Sequence, residues 1–174
     1  MKYYAVIDTN VIIAALLTKN SDAATLKVLR AVLDGSITPL YHEDILSEYD
    51  EVLHRRKFHL QEGTIQLVLT AIKQYGLEVQ PQPTGEILLD MDDLIFYEVA
   101  MEKRSDGAWL VTGNQKHYPV RSFIVTPAEM MEILESGGNE TLYLNSIPGV
   151  AESIIEAKNE PVEEAAVSEE GEEW

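Results

Sequence analysis

Short apolar runs alternate with longer segments whose apolar residues recur every three or four positions, and this alternation defines the expected elements. Residues 2–7 read as a strand ending in the polar triplet Asp8-Thr9-Asn10, and residues 11–17 as a helix. Ser21-Asp22 is expected to open a second helix, with Leu26, Leu29, Ala31 and Leu33 as its apolar positions and Gly35 as its stop. Residues 37–41 form a strand in which Pro39 is tolerated only near an edge or strand start, because proline lacks a ladder N–H. Residues 43–56 and 61–75 are amphipathic helices, the second closed by Gly76, and residues 77–79 return as a strand. Pro81-Gln82-Pro83-Thr84-Gly85 is a loop. A helix then carries Leu94, Ile95, Val99 and Ala100 on its apolar face, between Asp90-Met91-Asp92-Asp93 and a strand at residues 108–111. A last strand at residues 122–125 runs into Thr126-Pro127-Ala128-Glu129, a capping box with proline at the first helical position, and that helix ends at Gly137-Gly138.

Strands alternating with helices predict an α/β fold, an α/β/α sandwich around a mostly parallel sheet. Ligands of such sheets collect at the carboxyl ends of the strands, where strand order reverses. Asp8 stands at the end of the first strand and Asn114 just past the strand at 108–111. Asp92 and Asp93 occupy a strand-to-helix loop, and Glu48 a helix that follows a strand. Acidic groups far apart in sequence are therefore expected to meet at one end of the sheet.

The 174 residues contain no cysteine, which excludes disulfides, thiol nucleophiles and thiolate zinc sites. No apolar run is long enough to span a membrane, and the expectation is a soluble, cytoplasmic protein. Carboxylates without cysteine or clustered histidine favour a hard, oxygen-preferring ion, Mg²⁺ or Mn²⁺. Such an ion offsets the crowded charge, activates water and stabilises a phosphodiester under attack. Each acid also has an ordinary reading: Asp8 and Asp93 as helix caps, Glu48 as a solvated helix residue, Asn114 as a turn residue. A haloacid-dehalogenase-type site needs a second aspartate at position 10, which is asparagine, and a receiver domain needs an acid pair after the first strand, where Asp8 stands alone.

Over residues 1–136 the chain resembles a PIN-domain ribonuclease of the VapC-like toxin type. The resemblance rests on Val6-Ile7-Asp8-Thr9-Asn10, Ser47-Glu48-Tyr49, Asp92-Asp93-Leu94-Ile95, Leu110-Val111-Thr112-Gly113-Asn114 and Lys116-His117-Tyr118-Pro119. It implies a metal-dependent endoribonuclease in which Asp8, Glu48 and Asp93 bind the metal. The fourth matched position, usually aspartate, is Asn114, which offers an oxygen without charge; Asp90 or Asp92 could compensate. Thr9, Asn10 and Thr112 could orient ligands or waters, or be turn residues. For RNA, the candidate contacts are Lys116, His117, Arg121, Arg55 and Arg56. The alternative is a catalytically silent PIN-like module that binds RNA or protein without cutting, as asparagine at position 114 permits.

The net charge of −17 is uneven: residues 139–174 hold ten acids and one base, Lys158. Gly137-Gly138 reads as a linker to this acidic segment. Within it Ile147, Val150, Ile154 and Ile155 form one apolar stripe on a short helix that needs a partner surface. Residues 140–149, with Glu152-Ser153-Ile154, resemble the C-terminal, toxin-binding part of a Phd/YefM-type antitoxin. The expected partners are RNA and either an antitoxin or this chain's own tail, docked in cis or swapped in a homodimer.

Overall fold

The computed structural model describes residues 2–137. The strands β1 (Tyr3–Ile7), β2 (Ile37–Tyr41), β3 (Leu77–Glu78), β4 (Trp109–Val111) and β5 (Ile124–Val125) form one sheet in the order β3-β2-β1-β4-β5. Every neighbouring pair is parallel. The helices are α1 (Thr9–Leu17), α2 (Ala24–Leu33), α3 (Glu43–Leu53), α4 (Glu62–Tyr75), α5 (Leu94–Glu102) and α6 (Pro127–Glu135). This is the α/β architecture that the alternation predicts. Ala5, Val6 and Ile7 of β1 and all three residues of β4 are buried, because helices cover both faces of a parallel sheet. Helix α5 lies against β1, β2 and β4, while α2 packs among α1, α4 and α6. Among the described residues no helix is long and apolar enough to cross a membrane.

Strand order reverses between β1 and β4: β2 and β3 lie to one side of that pair and β5 to the other. Chain leaving β1 and chain leaving β4 therefore diverge, and a crevice opens between their carboxyl ends. Asp8 and Thr112 follow those two strands directly.

Several boundaries differ from expectation for local reasons. Helix α2 starts at Ala24, because Asn20 Oδ1 accepts the Asp22 N–H at 2.9 Å and commits those polar residues to a preceding turn. Its buried face includes Val28 and Val32, while Leu33 is exposed. Helix α3 stops at Leu53 short of Arg56, and the chain turns to bury Phe58. The buried face of α5 is Phe96, Tyr97, Val99 and Ala100, with Leu94 and Ile95 only half-buried. Ring contacts decide that rotation: Phe96 meets Tyr49 and Tyr97 meets Phe123, at centroid distances of 6.2 and 6.1 Å.

Pro39 sits third in an interior strand, not at an edge, but the ladder to β3 begins only at Leu40 and leaves a local edge beside it. Gly76 closes α4 in extended conformation, at φ −90°. A Cβ there would stand 2.3 Å from the Ile72 oxygen and 2.6 Å from the Pro39 oxygen, so close backbone approach demands glycine. The capping box of Thr126 and Glu129 forms as expected on α6. Gly138 and the stripe of Ile147, Val150, Ile154 and Ile155 lie outside the described residues.

Candidate active site

The end of β1 delivers Asp8 into the crevice, and its N–H extends the ladder to the Val111 carbonyl at 2.9 Å. The Tyr49 hydroxyl, from α3, donates to the carbonyl of Ile7 and fixes this strand end from below. Asp8 is 5 % exposed. Thr112 Oγ1 and the Tyr118 hydroxyl both donate to its Oδ2, at 2.8 and 3.0 Å. The Asn114 N–H donates to the same Thr112 Oγ1 at 3.0 Å, so the threonine proton is left to Asp8. Burial holds the Asp8 carboxyl above the usual carboxylate pKa, and the two hydroxyls offset part of that rise.

Glu48 reaches the crevice from α3, and Thr9 Oγ1 donates to its Oε2. Its carboxyl is also raised, by burial first, against the Thr9 hydrogen bond, and then by the charges of Asp8, Asp92 and Asp90. Asp93 ends the short 3-10 turn Met91–Asp93 and heads α5. Burial, then the charges of Asp8, Asp90, Glu48 and Asp92, push its carboxyl to about 8. Glu48 and Asp93 thus both feel the charge of Asp8. The capping explanation fails for Asp93, which holds an N-cap position without a cap bond, whereas the Asp8 carboxyl takes a backbone hydrogen bond from Asn10 at the head of α1. The cap of the turn is Asp90, whose Oδ1 accepts the Asp92 N–H at 3.0 Å.

Asn114 opens the turn Gln115–His117, with its Nδ2 3.0 Å from His117 Nε2. His117 Nδ1 in turn lies 3.2 Å from Asp93 Oδ2. Asn10 touches no carboxylate through its side chain; its Oδ1 accepts the Gly113 N–H at 3.3 Å and ties the two strand-end loops together. Among the basic candidates, Lys116 is exposed beside the site. Arg121 is held by Glu86 at 3.2 Å. Arg55 is paired with Glu51 at 3.3 Å, and it and Arg56 lie past the end of α3, where the chain turns toward Phe58. Neither is brought to the acids. Sequence reasoning missed the roles of Tyr118 and Tyr49 and the His117–Asp93 contact. Only the placement of Tyr118 and His117 just after Asn114 could have hinted at the first and last.

Against this geometry, a family model described as PIN domain matches residues 4–116. The chain belongs to the PIN-domain family. No protein of curated function matches it. PIN domains are generally nucleases and generally use divalent metals. The match ends one residue before His117 and two before Tyr118, so both contacts to Asp93 and Asp8 come from the stretch just past it.

The residues of this PIN domain fit a hard cation by their chemistry. Asp8, Glu48 and Asp93 offer carboxylate oxygens that burial holds above the usual pKa range, and at Glu48 and Asp93 the charges of neighbouring carboxylates add a repulsion that a cation would relieve. Among the described residues no three Asp, Glu or His side chains are already drawn together as a ligating group.

Proposed function

We propose that this PIN domain is a Mg²⁺- or Mn²⁺-dependent endoribonuclease of the toxin type, restrained by its own antitoxin-like C-terminal segment. The electrostatic coupling of Glu48 and Asp93 to Asp8, which stands at the end of β1 beside the β1–β4 crevice, supports the reading, because a cation would offset that crowded negative charge. Asp8, Glu48 and Asp93 hold the ion through oxygen, and Asn114 contributes at most a neutral oxygen. The bound ion supplies an activated water and charge stabilisation at the scissile phosphodiester. Asp8 is the best-fixed acid, since Thr112, Tyr118 and the β1–β4 ladder all hold it.

Lys116, exposed next to the acids, draws the substrate phosphates. RNA contact by His117 or Arg121 requires release from Asp93 or Glu86 respectively. In the full chain, Ile147, Val150, Ile154 and Ile155 seat the tail on the domain or on a second copy, and the acidic residues after them compete with RNA for those cations.

A second reading, a silent module that binds RNA or protein without cutting, is favoured by one observation: the Asn114 amide replaces a carboxylate and is engaged with His117. Single-stranded RNA incubated with Mg²⁺ or Mn²⁺ decides between them. Cleavage that stops with a chelator and with Asp8→Asn, while circular dichroism reports an intact fold, supports the nuclease. RNA left whole with both metals, even by protein truncated after Gly138, supports the silent module.

A further inference from the structure

Between β3 and α5 the chain runs as an irregular strap, residues 80–91, whose backbone is tied down at intervals. The Gln82 N–H donates to Glu102 of α5 at 3.0 Å, and the Thr84 N–H to Glu98 of the same helix at 2.7 Å. Glu86 clasps Arg121 at 3.2 Å. Past that ion pair the strap alternates as an extended chain does: Leu88 is buried, while Ile87 and Leu89 are 85 % and 81 % exposed. Met91 is half exposed, and Val120, next to Arg121 in the clasp, is exposed as well. Single apolar side chains on a surface are ordinary, but four gathered on one fixed strap and its clasp mark an interaction site. Asp93 stands two residues past Met91, so the patch borders the candidate active site.

We propose that this patch is the seat of the chain's own apolar stripe, which runs from Ile147 to Ile155 and lies outside the described residues. Both surfaces are short rows of aliphatic side chains that water disfavours. The chain can reach. Helix α6 starts beside the site, where Gln115 donates to Glu129 at 3.4 Å, and its nine residues carry the chain about 14 Å away. Ten residues separate Gly137 from Ile147, enough to span about 33 Å when extended. Docking in cis therefore occurs at high effective concentration. Charge favours the same place: beyond Ile155 the chain carries eight acids against one base, and Lys116 and Arg121 stand within a few residues of Val120. Seated there, the tail lies at the rim of the crevice, and its acids occupy the approach that RNA phosphates need. The inference rests on the reading of the tail as a restraint on the site, and it adds the surface that receives it.

Hydrogen exchange of the full chain, followed by mass spectrometry over residues 85–91 and 147–155, tests the seat. In wild type, residues 147–155 exchange more slowly than a synthetic peptide of the same sequence, and Ile87→Ser with Leu89→Ser lowers that protection by roughly 10-fold. Val120→Ser, from the other side of the clasp, lowers it in the same direction and serves should the double variant fail to fold. Leu67→Ser, at an equally exposed apolar position on α4, leaves it in place. Protection that survives the strap and clasp variants, or that Leu67→Ser removes equally, overturns the seat and leaves a tail that docks elsewhere. Protection that appears only as the protein is concentrated and elutes as a dimer overturns docking in cis. No protection in wild type overturns both the seat and the restraining role of the tail. Protection lost in the double variant, with RNA still left whole in Mg²⁺ or Mn²⁺, upholds the seat and removes the nuclease reading.

Discussion

Tyr118 and Asp8, 110 positions apart in the chain, share a buried hydrogen bond of 3.0 Å from the phenol to Oδ2. Its neighbour His117 faces Asp93. Two consecutive residues past β4 therefore span the acids of two separate elements, one at the end of β1 and one at the head of α5. The Tyr118 hydroxyl is pushed well above its ordinary pKa by burial and then by the charge of Asp8, so it stays a donor throughout the working pH range.

Without metal, stability should fall as pH rises from about 4 to about 8. Asp93 titrates near 8 when folded and at the ordinary 3.8 when unfolded, so across that window the folded state holds a proton that the unfolded chain has lost. The stabilisation is complete below 3.8 and is lost as pH climbs through about 8. Glu48 and Asp8, raised in the same direction, add to the slope. Thermal unfolding in chelator should show Tm declining over this range, Asp93→Asn should flatten the decline, and Mn²⁺ should restore the high-pH value. A Tm that rises with pH in chelator would contradict the assignment.

Asn114→Asp should tighten divalent-ion binding and favour a second ion, since it adds a charge next to His117 and the acids. In chelator the same variant should be less stable than wild type above neutral pH, because another carboxylate joins a group that already repels itself. Calorimetry that gives unchanged affinity and stoichiometry would reduce Asn114 to a turn residue.

Gly76→Ala should cost about 1–3 kcal/mol, since its Cβ meets two fixed backbone oxygens and the junction of α4 with β2 must shift. Gly35→Ala is the comparison: nothing stands within 4 Å of its Cβ, and the cost, about 1–2 kcal/mol, is that of a left-handed φ of +87°. Urea unfolding of both variants measures the difference, and equal, negligible losses would mean the α4 end yields freely.

Truncation after Gly138 should raise RNA cleavage and make RNA binding more sensitive to salt, since it removes ten acids and one base. Replacing Ile147, Val150, Ile154 and Ile155 together by serine should mimic the truncation if apolar docking holds the tail. Activity, stability and oligomeric state unmoved by either change would remove the tail from the functional account.

The sequence by itself determined which segments are strands and helices, because apolar periodicity and stop signals are local. The capping box at Thr126, the left-handed Gly35 and the fully apolar β4 run follow directly from it. It also pointed to Asp8, Glu48 and Asp93, as acids beside the strand ends of an α/β sheet. Tertiary structure alone decided what each acid touches. Helix rotation chose Phe96 and Tyr97 over Leu94 and Ile95, since ring contacts with Tyr49 and Phe123 form only after the layers pack. Pro39 looked like an edge signal, yet the shortness of β3 makes a local edge within the sheet. The reversal of strand order between β1 and β4 set Thr112 and Tyr118 against Asp8. No local pattern encodes a hydrogen bond across a hundred residues; its partners are chosen by which strands become neighbours.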